Sequence, residues 1–240
     1  MRLDKLLSNM GFGSRKEVKI LLKGKACQVD GEVVRDVAKQ VDPVAQVVTV
    51  YGERVHYQEF IYLMMHKPQD VISATEDKYD QTVIDLLDPF HAHFEPFPVG
   101  RLDKDTEGFL LITNDGQLTH NLLSPKKHVP KVYFAEIEGR VTQADIDAFA
   151  EGVTLDDGYH TKPGKLKILK SDEQSEIELE ISEGKFHQVK RMFESVGKKV
   201  TYLKRISMGP LSLDESLALG EYRELTEDEL EQLKNAKPAK

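Results

Sequence analysis

The 240-residue chain has a single cysteine, Cys27. One thiol rules out an internal disulfide and a cysteine-cluster metal site, and it fits a reducing cytoplasm. Cys27 sits in a short apolar patch and reads as a small core residue. No stretch approaches the roughly 18 apolar residues of a membrane span, so no membrane partner is expected. The opening MRLDKLLSNMG carries acids and no apolar segment, and does not read as a secretion signal. A Walker-type phosphate loop, internal repeats and low-complexity tracts are missing. His91 and His93 lie in a Pro- and Phe-rich loop with no third ligand at usable spacing, so they read as loop histidines and no metal is expected. With 40% apolar and 31% charged residues, the chain reads as an ordinary soluble protein. It is long enough for one large core, or for a small domain plus a medium one.

Positive charge is in deficit overall, with a formal net charge of −8, but it is unevenly spread. Residues 1–25 hold seven Lys/Arg against two Asp/Glu, and residues 184–205 hold seven against one. Residues 117–134 have three Lys and no acid, whereas 212–232 have eight acids and one Arg. Fields are screened over about 8 Å at physiological salt. Three basic patches on an acidic body can therefore still form a nucleic-acid face.

Residues 1–58 read as a small module. Leu3, Leu6 and Leu7 have helical spacing. Ser14 to Glu17 is a capping box for a second helix, with Val18, Leu21 and Leu22 inward, Arg15, Lys19 and Lys23 outward, and Gly24 as its C′ residue. Cys27 to Val34 reads as a hairpin around Asp30-Gly31, and Val47 to Val50 as another strand. The basic helix face could be a solvated row or an RNA-docking row. Residues 51–60 are polar and mixed, and read as a linker to a second domain, 59–240. There, strands are predicted at Ile61–Met65, Phe109–Thr113, Val132–Ile137, Leu166–Leu169, Ile177–Ile181 and Val200–Ile206. Helices are predicted at Thr82–Leu87, Leu118–Leu123, Thr142–Phe149, around Val189, Phe193 and Val196, and over 226–234.

The stretch VGRLDKDTEGFLLITNDG, Val99 to Gly116, organises the rest. It sets Asp103 in a polar turn ahead of a continuous apolar strand, where a carboxylate is rigidly flanked yet free to face solvent. Asp-rich turns before strands are also common without any chemistry. A paired site of Asp103 with Asp105, as in glycosidases, is disfavoured, because positions i and i+2 of an extended segment point to opposite faces. Asp105 reads instead as organising the loop, with Thr106 and Gly108 shaping the turn.

GRLDKDTEG followed by an apolar strand and TNDG closely resembles the signature of the RsuA/RluA-type RNA pseudouridine synthases. The wording of residues 1–50 resembles an S4 domain, a small RNA-binding unit. The segments HKP, GRLDKDTEG, KVY and KFHQVKRMF follow in the family's order across nearly the whole chain. The resemblance implies an α+β fold: a small S4-like domain and a larger synthase domain, with a mixed, largely antiparallel sheet and a central cleft. It implies that Asp103 is catalytic, that Lys190 pairs with it, and that Tyr133 stacks on the target base. Arg101 is expected to reach into the RNA. Phosphate contacts are assigned to His187, Arg191, Lys126 and Lys127, with Arg15, Lys16 and Lys19 as RNA contacts of the S4 domain. The family has Asn-Lys-Pro where this chain has His66-Lys67-Pro68, and often Gly where it has Asp70.

No cofactor is expected, since isomerising uridine involves no net oxidation or hydrolysis. The string VISATEDKYDQTVIDLL points to the branch acting on 16S rRNA, with uridine-516 as the expected target, bare or in a pre-ribosomal particle. A 23S rRNA enzyme and a catalytically inactive RNA-binding or ribosome-assembly protein are the alternatives. A cytoplasmic monomer is expected.

Overall fold

The computed structural model describes residues 1–124 and 129–236. The chain forms two compact units, one of Met1–Ile61 with Asp88–Glu95, the other of Tyr62–Leu87 with the chain from Pro96 onward. Among the described residues no helix is long and apolar enough to cross a membrane.

The first unit packs α1 (Leu3–Asn9) and α2 (Arg15–Lys23) beside a sheet of order β2-β1-β3-β4. Its strands are β1 (Cys27–Val29), β2 (Glu32–Val33), β3 (Val48–Val50) and β4 (Glu53–Arg54). Leu3, Leu6, Leu7, Val18 and Leu22 are buried in its core, each stabilising it by about 1.5–3 kcal/mol relative to exposure. Ser14 and Glu17 form the capping box, with the Ser14 N–H donating to Glu17 Oε2 at 2.7 Å. The left-handed residue after α2 is Lys25 (φ 60), one position beyond Gly24, whose φ is −71. Asp30 and Gly31 both take positive φ, as a two-residue hairpin turn requires.

The stretch expected to be a linker is partly sheet. Tyr51 and Gly52 make a second positive-φ turn into β4, and Val55 and Tyr57 pack on the core. The short helix α3 (Pro89–Ala92) also belongs to this unit, with Phe94 on the same core. His91 Nδ1 lies 2.9 Å from Asp88, and His93 Nε2 lies 2.7 Å from Ser8 O. Both imidazoles are therefore used in local packing.

The second unit holds β5 (Tyr62–Lys67), β6 (Phe97–Pro98), β7 (Glu107–Thr113), α4 (Gly116–Leu123), β8 (Lys131–Glu138), α5 (Gln143–Glu151), β9 (Lys165–Lys170), β10 (Gln174–Ile181), α6 (Gln188–Ser195), β11 (Lys199–Met208), β12 (Leu211–Ser212), β13 (Tyr222–Glu224) and α7 (Glu227–Lys234). The sheet runs β13-β5-β7-β11-β8-β10-β9, with β6 on β7 and β12 on β11. Every pairing is antiparallel except β7 with β11. β7 is buried on both faces, which explains its continuous apolar run. Met64, Phe109 and Leu111 face α4 and α7 through Leu118, Leu122 and Leu233. Phe149 of α5 meets Phe193 of α6 edge-on, with centroids 5.0 Å apart.

Two local expectations fail. Thr82 to Leu87 is not helical: Asp85 folds back on Thr82 in a single turn. Asp88 precedes Pro89, which disfavours helical backbone at Asp88, so the turn cannot propagate. Gly108 shapes no turn either. It lies inside β7, where a side chain would strike the backbone of Arg205 on β11.

Register sets one row across the sheet face: Lys67, Gly108, Arg205, Tyr133, Leu179 and Leu166 are successive cross-strand partners. Side chains of directly paired residues share a face, so Lys67, Arg205 and Tyr133 stand side by side along it.

Candidate active site

The loop between Gly100 and β7 is tied down through the backbone of Leu102, Asp103, Lys104 and Thr106. Ser73 Oγ donates to Leu102 O at 2.9 Å and accepts from Leu102 N at 3.0 Å. The Thr106 N–H donates to Asp103 O at 3.0 Å, and the Asp70 N–H donates to Lys104 O at 2.9 Å. Asp70 takes φ +63 to do so, at the position where the family often has glycine. Lys67, at the end of β5, is fully buried. Its ammonium donates to Pro68 O at 2.9 Å, Thr106 O at 3.0 Å and Asp103 O at 3.1 Å. Burial pushes Lys67 down to about 8, against the pull of Asp103, Asp105, Glu107 and Asp70. The loop is thus held before any ligand arrives, as a reacting group must be.

The side chains of this loop meet the start of α6. Lys190 Nζ lies 3.4 Å from Asp103 Oδ2, and donates to Asp105 at 2.6 and 2.8 Å. His187 Nε2 lies 3.6 Å from Asp103 Oδ1. His187 takes left-handed backbone (φ 48) at the N-cap of α6, which turns the chain sharply into the helix. Burial would raise the Asp105 carboxyl, but Lys190 and then His187 hold it below its ordinary value. The Asp103 side chain keeps 29% of its surface exposed, so it remains open to a substrate.

The structure therefore brings Asp103, Lys190 and His187 together, and adds Asp105. The expectation that Asp103 and Asp105 point apart is corrected: residues 104 and 105 form a turn, so the two-residue alternation of a strand does not apply. Lys190 is shared between the two carboxylates, and Arg101, two residues before Asp103, is exposed. Tyr133 is buried in the sheet-face row, next to Arg205. Arg191 is committed elsewhere. It pairs with Asp156 and, at 2.7 Å, with Asp157, and both carboxylates raise its pKa. Arg15, Lys16 and Lys19 are exposed on α2 in the first unit. Lys126 and Lys127 lie outside the described residues.

Three supporting residues escaped the sequence reading as site residues. Lys67 was signalled by a basic residue closing an apolar strand, IYLMMHK. Ser73 gave no local signal. Arg205 is 2% exposed, donates through Nε to Phe109 O at 2.8 Å, and has no partner for Nη2 among the described residues. Lys131, two residues before Tyr133, is pushed down to about 8 by burial and then by the charge of Arg205. Two basic side chains, Lys131 and Arg205, therefore lie near Tyr133. Among the described residues no cluster of His, Cys, Asp and Glu is arranged to hold a metal ion.

A preset carboxylate with a cationic partner on a mixed sheet defines a class of site, one equipped for nucleophilic or acid–base chemistry. Comparison with known proteins is specific. The RNA pseudouridylate synthase family matches residues 61–195 and the S4 domain matches residues 1–47. The chain belongs to the RNA pseudouridylate synthase family, whose members are isomerases. It is 61% identical to the uncharacterized RNA pseudouridine synthase YtzG of Bacillus subtilis, over 96% of this chain and 97% of that one. It is 38% identical to ribosomal small subunit pseudouridine synthase A of Escherichia coli K12, over 96% and 98% of the two chains. A crystal structure of a pseudouridylate synthase superposes with a TM-score of 0.68 at 36% identity, covering 97% of this chain and 99% of that one.

Proposed function

We propose that this chain converts one uridine of 16S ribosomal RNA to pseudouridine, with uridine-516 as its target, and that Asp103 carries the chemistry. The observation behind the site assignment is the Asp103 carboxylate on its pinned loop, 3.4 Å from Lys190. The substrate assignment is supported by likeness along nearly the whole chain to enzymes named for the small ribosomal subunit. A cytoplasmic monomer acting on RNA, bare or in a pre-ribosomal particle, completes the reading.

The reaction breaks the N1–C1′ bond, turns the uracil, and joins C5 to C1′ with loss of the C5 hydrogen. Asp103 serves as nucleophile at C1′ or as base toward the C2′ proton. Either role needs an ionised carboxylate. Desolvation by a bound base works against ionisation, and the Lys190 cation offsets it. Lys190 offers a point charge without the fork of an arginine, which suits a cation shared by two carboxylates. Tyr133, in the row beside Arg205, offers a flat ring against which the extruded uracil packs. Lys67 acts through the backbone by fixing the carbonyl of Asp103.

The test is tritium release from RNA labelled at uracil C5, on 16S and 23S transcripts, with wild-type protein and Asp103→Asn. Release from 16S alone, abolished by the substitution while RNA binding stays within a few-fold, is the expected result. Release from 23S alone overturns the substrate. Release that survives Asp103→Asn overturns the catalytic assignment. If neither transcript reacts, immature small subunits are assayed, and a negative result there leaves the RNA-binding alternative.

A further inference from the structure

Phe186 is 72% exposed, two residues before α6 and adjacent to its N-cap, His187. Single exposed apolar residues are ordinary on protein surfaces, but this one is built into the site. Its ring stacks on the imidazole of His187, with centroids 3.8 Å apart and planes 19° from parallel. That imidazole is the group 3.6 Å from Asp103. The segment carrying the pair is well anchored. The Lys185 N–H donates to Gln188 Oε1 at 2.8 Å, Gln188 Nε2 donates to Glu183 at 2.7 Å, and Arg191 Nη1 donates to Phe186 O at 3.3 Å. Gln188 is itself buried. The exposure of Phe186 is thus held in place by its neighbours.

One face of Phe186 is covered by His187, and the ring as a whole remains largely open. We infer that the stacked Phe186–His187 pair is a platform for a nucleobase of the RNA, that of a nucleotide flanking the target uridine. This rests on the reading of Asp103 as the reacting group. The geometry selects the flanking base. The imidazole edge lies next to Asp103, the phenyl ring is stacked on its face at 3.8 Å, and a further base would add a stacking interval of about 3.5–4.0 Å. That reach suits a neighbouring nucleotide, since the target uracil must lie against Asp103 itself. Extruding a uridine also unstacks its neighbours, and an aromatic face restores part of what they lose. Of the seven Lys/Arg in residues 184–205, Lys190, Arg191 and Lys198 are paired with carboxylates and Arg205 is buried, which leaves Lys185, Lys199 and Lys204 to favour a polyanion over an apolar protein partner. The pair therefore reads a base face, in place of the phosphate contact first assigned to His187.

The chain contains no tryptophan, so Phe186→Trp installs a unique fluorophore at the platform. It is placed in an Asp103→Asn background to prevent turnover, with Leu169→Trp on β9 as the control. Titration with 16S transcript should quench the Phe186→Trp emission by half or more, and leave Leu169→Trp nearly unchanged. Inorganic polyphosphate, which has the charge without the bases, should not quench either. In the otherwise wild-type protein, Phe186→Leu should lower kcat/KM on that transcript by about five-fold or more, the equivalent of one base–aromatic stack. The loss should appear mainly in KM, and Phe186→Tyr should restore it. Equal quenching by polyphosphate, equal quenching in the control, or wild-type kinetics for Phe186→Leu overturns the platform. Failure of the substrate reading is seen separately, as absence of tritium release by the wild-type protein itself.

Discussion

Replacing Gly108 with alanine tests the packing that supports the site. A Cβ on Gly108 would lie 2.2 Å from Arg205 O, 2.7 Å from its N and 2.9 Å from its carbonyl carbon, with φ at +110. All three atoms are backbone, so no side chain can swing away. Reaching an ordinary contact of about 3.5 Å would require β11 to retreat from β7 by about 1 Å or more. The backbone conformation alone costs about 1–3 kcal/mol for a residue other than glycine. Overpacking adds about 1–3 kcal/mol, and the lower entropy of unfolded alanine returns about 0.4–1 kcal/mol. The net loss is about 1–5 kcal/mol. At about 2–4 °C per kcal/mol for a domain of this size, Tm should fall by about 2–20 °C. The assay is thermal and urea unfolding followed by circular dichroism, with Gly116→Ala as the control. Gly116 begins α4 with nothing within 4 Å of its added Cβ, so that variant should be neutral or slightly stabilised. A loss below about 1 kcal/mol for Gly108→Ala would refute the close approach of β7 and β11.

Three further outcomes are expected. Lys67→Met removes the donor to three carbonyls, one of them that of Asp103; single-turnover tritium release should fall at least about ten-fold from loop misplacement, with RNA affinity nearly kept, and retained activity would show that the ammonium does not position the loop. Cys27 is fully buried, and burial pushes its thiol up to about 11. The native protein at pH 8 should therefore resist a disulfide reagent, and labelling should follow only on unfolding; immediate labelling would contradict the first unit's core. Lys19→Ala should reduce the slope of log affinity against log salt by about 0.7–0.9, whereas Arg191→Gln should leave it unchanged, because Asp156 and Asp157 already occupy that guanidinium.

Much of this architecture was legible in local residue patterns. The capping box of α2, the Asp30-Gly31 hairpin and the inward row of α6 depend on neighbours a few residues away, and local chemistry decides them. The loop ahead of β7 was legible from its wording. Its geometry was not, because the partners that fix it come from afar: Lys67 lies 36 positions from Asp103, Ser73 lies 29 from Leu102, and Lys190 lies 85 from Asp105. The purpose of Gly108 was hidden for the same reason, since its neighbour Arg205 is brought beside it by a parallel pairing. Thr82 to Leu87 had the composition of a helix, and the following Asp88-Pro89 step outweighed it. The membership of Asp88–Glu95 in the first unit could not be read from a linear division of the chain.

The parallel contact between β7 and β11 also bears on the order in which the enzyme becomes competent. It joins two antiparallel half-sheets, β13-β5-β7 and β11-β8-β10-β9, through only two residue pairs, Glu107 with Lys204 and Gly108 with Arg205. The seam's partners are nearly a hundred residues apart, whereas those of β5 with β7 are only 41–51 apart, and long loops are costly to close early. A chain still being synthesised, with β11 not yet emerged, would already carry Asp103, Lys67 and Lys190. It would lack the strand that sets Arg205 between Gly108 and Tyr133. The sheet face that carries Tyr133 and Arg205 is therefore completed only by the last third of the chain.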